Sequence, residues 1–508
     1  MAVDSHFNAL TDEQLVAAAT SQGCVFLEAA PGSGKTTVAA QRFGVMRYRP
    51  HRFIEGRLDN RAVVAVSFTR SATRELQRRV RRTWGPTALT WPHRITTIDT
   101  LLHDLLSHLL TCGLVSWPGG HLTLRVHDSW RVLVRYSLMD LEWGVSVRES
   151  GEAFVDMWRQ ESKRMRPEPL PMREAVQLGH CTHDDVRRVL MVSLRRPDVK
   201  EAIRRRLAQS VKALIVDEVY DANALDLAVI KAAVDAGADV TIIGDPWQAL
   251  YGFRGARPDL VPALIEETEM VTLPLSQSFR WRSGAQSRIA TDLRAGRGVV
   301  LPQVENGVGF DVMLSSQWEE LWTLGDTVLP LAWGGAKGNA VEAATTLLLN
   351  QVTKKLFGVE ATFLADALVT LGIADAAAMG RLEGPFAGIL GRLSAATTKV
   401  DFNSAYYDLI SVMEGETKRT FPAKAHHNYT IRLRRLALRL KAEGACLPGL
   451  TIHQAKGREW DNVGVRLADA ERAALERGLD PADERHRLLY VACTRARNWT
   501  AEALPRQA

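Results

Sequence analysis

Residues 24–37 read CVFLEAAPGSGKTT, and this stretch sets the reading of the whole chain. The run CVFLE (24–28) is short and apolar, the mark of a buried strand. It passes into AAPGSGKTT (29–37), and a helix-like stretch from Val38 to Val45 follows. Strand, glycine-rich loop and helix in that order are the context a phosphate-binding loop requires. Gly32 and Gly34 let the backbone curl so that its N–H groups converge on phosphate oxygens. The helix N-terminus adds partial positive charge. Ala30, Pro31, Gly32, Ser33 and Gly34 are then the cradle. Lys35 reaches the β- and γ-phosphates, and the Thr36 hydroxyl ligates Mg²⁺. The first glycine of the GxxxxGK[ST] pattern is replaced by Ala29.

A loop of this kind needs a carboxylate on a neighbouring strand. ALIVDE (213–218) supplies four apolar residues and then Asp217 and Glu218. Asp217 is placed to hold Mg²⁺ through water, and Glu218 to activate the attacking water. Many buried strands end in solvated acids, so the run is weak alone and strong beside the loop. The chemistry it points to is nucleoside triphosphate hydrolysis. The strand-like segments 24–28, 63–67, 213–217 and 240–244 alternate with helical stretches, which predicts an α/β fold with a parallel sheet.

Composition sets the bounds. The chain has 508 residues, enough for about three to four domains at roughly 150 residues each. It is 46% hydrophobic and 24% charged, which excludes a disordered or collagen-like chain. The net charge of +6 is mild for this length; it permits nucleic-acid binding without demanding it. Of the 64 basic residues 51 are Arg, the better residue for bidentate phosphate contact, although a GC-rich genome writes the same bias. Cys24, Cys112, Cys181, Cys446 and Cys493 form no CxxC pair, so no zinc or iron–sulfur site is expected. An odd, sparse set suits a reducing cytosol. MAVDSHFNAL has no basic region followed by an apolar one, and no apolar run approaches the ~20 residues of a membrane span. A cytoplasmic protein with no membrane partner is expected.

Further motifs narrow the class. LTDEQ (10–14), VVAVSFTRSATREL (63–76), ITTIDTLLHDLL (95–106), VDEVYDAN (216–223), IIGDPWQALYGFRGA (242–256), SFR (278–280), TIHQAKGREWDNV (451–463) and RLLYVACTRAR (487–497) follow one another. In content and order they resemble the motifs of UvrD/Rep/PcrA-type superfamily 1 DNA helicases over most of the chain. The resemblance implies two RecA-like P-loop NTPase motor domains with helical insertions, and ATP and Mg²⁺ as cofactors. It implies movement along single-stranded DNA, 3′ to 5′, with tailed duplex DNA as a substrate.

It also implies roles. Gln14 reads the adenine edge, Phe279 stands where a Tyr stacks on adenine, and Glu459 reaches the ribose. Gln248 senses the γ-phosphate, and Arg280 and Arg495 contact it from the second motor domain. Phe68, Thr69, Arg70, Thr97, Tyr251, Phe253, Arg254, Thr451 and His453 fall on DNA-contacting or coupling positions. The faces of Tyr251 and Phe253 suit base stacking, worth roughly 1–3 kcal/mol per base, although core packing is the usual fate of an aromatic.

Further positions depart from the family pattern, the unusual Trp247 and Trp281 among them. Tyr220 replaces a Gln that helps couple nucleotide state to DNA. Asp99 stands where a His is common. Thr37 replaces an Arg that forms one face of the adenine sandwich, so selectivity for adenine is expected to weaken.

The expected layout is a first motor domain in residues 1–101 and 211–269 and a helical insertion at 102–210. The second motor domain occupies 270–355 and 448–508, with a reduced helical subdomain at 356–447. In the insertion, LLHDLLSHLL, SWRVLVRYSLM, EAFVDMWRQE and DDVRRVLMVSL have helical spacing. Arg187, Arg188, Arg195, Arg196, Arg204, Arg205 and Arg206 form either a DNA-facing patch or a solvated helical face. The short subdomain is the expected place for a protein partner. With Tyr220, it leaves open an accessory, DNA-stimulated ATPase of a larger repair or defence complex.

Overall fold

The computed structural model describes residues 10–49, 53–54, 57–130, 143–157, 170–305, 309–335, 339–373, 376–417, 419–422, 427–442 and 446–504. The chain divides into two compact units, Met1–Arg280 and Trp281–Ala508. Each is built on a six-stranded sheet.

The first sheet contains β1 (Cys24–Ala29), β2 (Ala62–Ser67), β3 (Arg94–Thr97), β4 (Val211–Asp217), β5 (Asp239–Gly244) and β6 (Val271–Leu275). Their order is β6-β1-β5-β4-β2-β3 and every pairing is parallel. The central strands are apolar on both faces, as a sheet covered on both sides must be. Val25, Leu27, Val63, Ala65, Ala213 and Ile215 point into one core with the helices Lys35–Tyr48 and Arg70–Trp84. Phe26, Val64, Val66, Leu214 and Val216 point to the opposite face, against Ile98–Thr111, His183–Ser193 and Ala224–Asp235. This is the period-2 alternation of a strand.

Three expectations are corrected in this unit. Val271–Leu275, assigned to the second motor domain, pairs with β1, so the boundary lies at Arg280/Trp281 instead of 269/270. The helix Ile98–Thr111 runs through the expected 101/102 boundary and shares the sheet's core, so the insertion is continuous with the sheet. Nor is the insertion wholly helical. EAFVDMWRQE contains the strand Ala153–Met157, antiparallel to Trp143–Val147. Gly151 turns the hairpin at φ +91°, a turn signal that outweighs the helical spacing. Most of SWRVLVRYSLM lies outside the described residues.

Gly44 shows how tightly the loop's own helix is packed. Trp84 lies across it, stacked on Tyr48 with 5.7 Å between ring centroids, and donates from Nε1 to the Ala40 carbonyl. A Cβ on Gly44 would stand 1.9 Å from Trp84 Cε2. Gly→Ala inside a helix ordinarily stabilises by about 1 kcal/mol, but overpacking costs about 1–3 kcal/mol. Gly44→Ala is therefore expected to lower the thermal midpoint of the purified protein; a raised midpoint in a melting scan contradicts this packing.

The second sheet contains β7 (Gln303–Glu305), β8 (Val312–Ser315), β9 (Val328–Pro330), β10 (Leu447–Thr451), β11 (Trp460–Val465) and β12 (Ala496–Leu504). Its order is β7-β12-β11-β8-β10-β9, again all parallel. Four helices, Leu364–Leu371, Ala376–Ala395, Lys399–Glu416 and His427–Lys441, occupy the expected subdomain. A fifth joins them. Ala340–Phe357 packs Val341, Leu347, Leu348 and Val352 into the bundle core, so the bundle begins near 340 and not at 356. Arg439 ties the bundle to the sheet: it is buried and donates to the carbonyls of Val328, Trp322 and Gly325. Its guanidinium lies 4.6 Å from the Trp322 ring centroid, and Trp322 stacks on Trp333. Among the described residues no helix is long and apolar enough to cross a membrane.

Candidate nucleotide site and nucleic-acid interface

The loop after β1 has the geometry its glycines predict. Gly32 and Gly34 adopt φ of +74° and +82°, values side-chain-bearing residues rarely take. Close approach adds a second constraint. A Cβ on Gly32 would lie 2.6 Å from Arg280 Cβ, and one on Gly34 would lie 2.7 Å from Gln14 Nε2. The helix Lys35–Tyr48 starts immediately after Gly34, so Lys35, Thr36 and Thr37 form its first turn. Ala30, Pro31 and Ser33 are buried beneath the curl. The end of β6 braces the loop: the Ala30 N–H donates to the Leu275 carbonyl at 3.0 Å, and the Phe279 N–H to the Gly32 carbonyl at 2.9 Å.

β5 alone separates β1 from β4, and the register sets Glu28 beside Gly244 and Asp217 beside Ile243. The loop and the carboxylates therefore share the C-terminal edge of the sheet, where parallel α/β sheets bind ligands. Lys35 Nζ lies 3.7 Å from Glu218 Oε1. Glu218 has φ +62°, a strained backbone for a residue with a side chain and a frequent feature of functional sites. Asp217 is buried and its Oδ1 has no hydrogen-bond partner. Burial, and then the neighbouring Glu218, hold its carboxyl above the usual range. An acceptor buried in this way fits a divalent cation. Gln248, past the end of β5, is buried and donates from Nε2 to Asp245 Oδ2 at 2.7 Å.

Around the loop, Gln14 accepts at Oε1 from the Thr11 N–H (3.1 Å) and donates from Nε2 to the Ser33 carbonyl (2.8 Å). That leaves one amide proton and one lone pair for a ligand. Phe279 is 54% exposed beside the loop. Arg280 closes the first unit and touches the loop from that side, which corrects its expected place in the second motor domain. The reason is the pairing of β6 with β1, which carries the segment behind it onto the loop.

The DNA candidates of this unit cluster less tightly. Phe253 is 64% exposed, so it is not a core residue. Tyr251 lies edge-on to it at 6.1 Å, and the Arg254 guanidinium sits 5.1 and 5.5 Å from the two ring centroids. Phe68 is half-buried and packs against the sheet's core. Thr69 and Thr97 cap the helices Arg70–Trp84 and Ile98–Thr111 with their hydroxyls. Arg70 is exposed and pairs with Asp128 of the insertion at 2.7 Å.

In the second unit, Thr451 ends β10 and is buried, and His453 is half-buried in the turn after it. Glu459 is exposed and accepts from Arg497 Nη2 at 2.8 Å. Arg495 is fully buried, and its Nε donates to the Val491 carbonyl at 3.1 Å.

The departures have local explanations. Tyr220 is a core residue: it packs edge-on to Phe26 and covers Gly244, where a Cβ would meet its ring at 2.6 Å. Asp99 accepts from Arg187 Nε at 2.8 Å, and Arg187 also holds the buried Asp226 at 2.9 Å. Arg187 therefore serves an internal network. Arg188 pairs with Asp156, Arg196 with Asp198, and Arg204 and Arg205 with Glu201. Five of the seven arginines offered as a DNA-facing patch thus face carboxylates of the same fold, which removes much of the positive field the patch needed.

Sequence reasoning missed Arg79 and Asp128, whose partners Thr37 and Arg70 lie far away in the chain. Spacing alone gives no signal for either.

Residues 12–254 match the family described as an AAA domain, and residues 449–501 match the UvrD-like helicase C-terminal domain. DNA helicase II of Haemophilus influenzae is 25% identical over 301 residues, 55% of this chain and 40% of the relative. ATP-dependent DNA helicase Rep of Escherichia coli is 24% identical over 275 residues, 51% of this chain and 39% of the relative. A probable DNA helicase II homolog of Mycoplasma capricolum is 20% identical over 356 residues, 63% and 48% of the two chains. The chain thus spans under half the length of each of these curated relatives. Both family matches fall on the sheets that carry the loop, the carboxylates and the arginine motif, and over these stretches the chain is similar to the UvrD/Rep-type superfamily 1 helicases.

Proposed function

We propose that this chain hydrolyses ATP on the loop at 29–37 and uses the energy to move along single-stranded DNA, 3′ to 5′, unwinding duplex in repair, replication or recombination. The observation that carries the reading is the convergence of Lys35, Asp217 and Glu218 on one sheet edge, with Lys35 3.7 Å from Glu218. Loop N–H groups and Lys35 would hold the β- and γ-phosphates. Thr36 and the buried Oδ1 of Asp217 suit Mg²⁺, which when bound neutralises phosphate charge. Glu218 would take the proton of the attacking water, Gln248 would sense the γ-phosphate, and Arg280 would stabilise charge developing there. Phe279 and Gln14 border the base. For DNA, the exposed Phe253 and Tyr251 with Arg254 between them offer a stacking face with a cation, the chemistry of sequence-tolerant single-strand binding.

The test is strand displacement on duplexes with a 3′ or a 5′ tail, with and without ATP. ATP-dependent displacement of the 3′-tailed duplex alone is expected. Displacement of the 5′-tailed duplex overturns the polarity. DNA-stimulated hydrolysis with neither duplex unwound overturns the helicase reading in favour of an accessory ATPase.

A further inference from the structure

The first helical turn after the loop reads Lys35, Thr36, Thr37, Val38 and has no guanidinium of its own. One arrives from the neighbouring helix Arg70–Trp84. Arg79 Nη1 donates to Thr37 Oγ1 at 2.6 Å, and Arg79 Nε donates to Glu75 Oε1 at 2.6 Å. Its side chain is 43% exposed. Two of its in-plane donors are thus spent on protein oxygens, and Glu75 offsets much of its charge. Three N–H donors and the flat face of the group remain for a ligand, and a guanidinium plane stacks well on aromatic rings. Thr37 and Gln14 both flank Gly34, so this plane is fixed at the rim of the phosphate loop and not out on the helix surface.

We propose that Arg79 is a specificity-determining residue that stacks its guanidinium face on the purine ring of the bound nucleotide. This rests on the reading of the 29–37 loop as an ATP site. The guanidinium missing at position 37 is replaced by one 42 positions further along the chain. Adenine selectivity, which the sequence led us to expect weakened, is retained by this route.

The experiment measures KM and kcat for ATP and the inhibition constant of inorganic tripolyphosphate, with thermal melting of each variant. In Arg79→Ala, KM for ATP is expected to rise about three- to tenfold, while tripolyphosphate inhibits as in the wild type. Arg79→Lys, which keeps the charge and loses the plane, should match the Ala variant. Adding Thr37→Arg to Arg79→Ala should bring KM back toward the wild-type value. An unchanged KM in Arg79→Ala overturns the proposal. So does a parallel loss of tripolyphosphate inhibition, which would make Arg79 a phosphate ligand, and so does a wild-type KM in Arg79→Lys. A wild-type chain that hydrolyses no ATP fails on the ATP reading itself, a result distinct from all of these.

Discussion

Lys35→Ala is expected to lower DNA-stimulated ATP turnover by about 10²–10³-fold, the usual loss when a preorganised electrostatic contact to developing charge is removed. The loop places this ammonium by geometry and little else. Gly34 takes φ +82° so that the helix can begin at Lys35, and the side chain then runs toward Glu218, with 11% of it exposed. A cation so nearly withdrawn from water acts in a low effective dielectric, where its attraction for phosphate is several times that in bulk solvent. Alanine removes the charge without altering the backbone N–H groups of the cradle. DNA affinity without nucleotide should therefore stay close to wild type while turnover collapses. The measurement is steady-state ATPase with and without single-stranded DNA, alongside DNA binding in the absence of ATP. Wild-type turnover in the variant would remove the loop from the chemistry and the proposed function with it.

The parts of this site legible in the sequence are those fixed by local backbone. CVFLEAAPGSGKTT specifies strand, curl and helix within 14 residues, and ALIVDE specifies its carboxylates within six. Parallel pairing then follows from alternation with helices, and the first sheet has it. What stayed hidden depends on distant pairing. VTLPL has no feature that assigns it to either sheet; its place beside β1 comes from tertiary packing, and with it comes the position of Arg280 against Gly32. The insertion arginines illustrate the same limit through charge. Arg187 reads as a surface cation until the fold sets Asp99 and Asp226 within 3 Å of it. Tyr220 reads as a lost coupling residue, but the fold uses it to cover Gly244. In each case the residue type was visible, and the partner that defines its role was not.

Phe253→Ala tests the other half of the proposal, because exposure has already separated it from the core. A buried Phe replaced by Ala costs about 3–5 kcal/mol of stability. At 64% exposure Phe253 should cost well under that, so the variant is expected to melt close to wild type. Its loss should fall on DNA. Base–aromatic stacking is worth about 1–3 kcal/mol per base, which converts to roughly 5- to 150-fold weaker single-strand binding and slower translocation. Basal hydrolysis without DNA should change little, since the loop and carboxylates are untouched. Tyr251 and Arg254 remain in place, which argues for the lower end of that range: the cation still attracts phosphate, and one ring is left to stack. The readouts are fluorescence titration with an oligonucleotide, stopped-flow translocation and the basal ATPase rate. Equal losses in basal and DNA-dependent activity would place Phe253 in the nucleotide machinery instead, and unchanged DNA affinity would mean that the exposed aromatic pair is not the track.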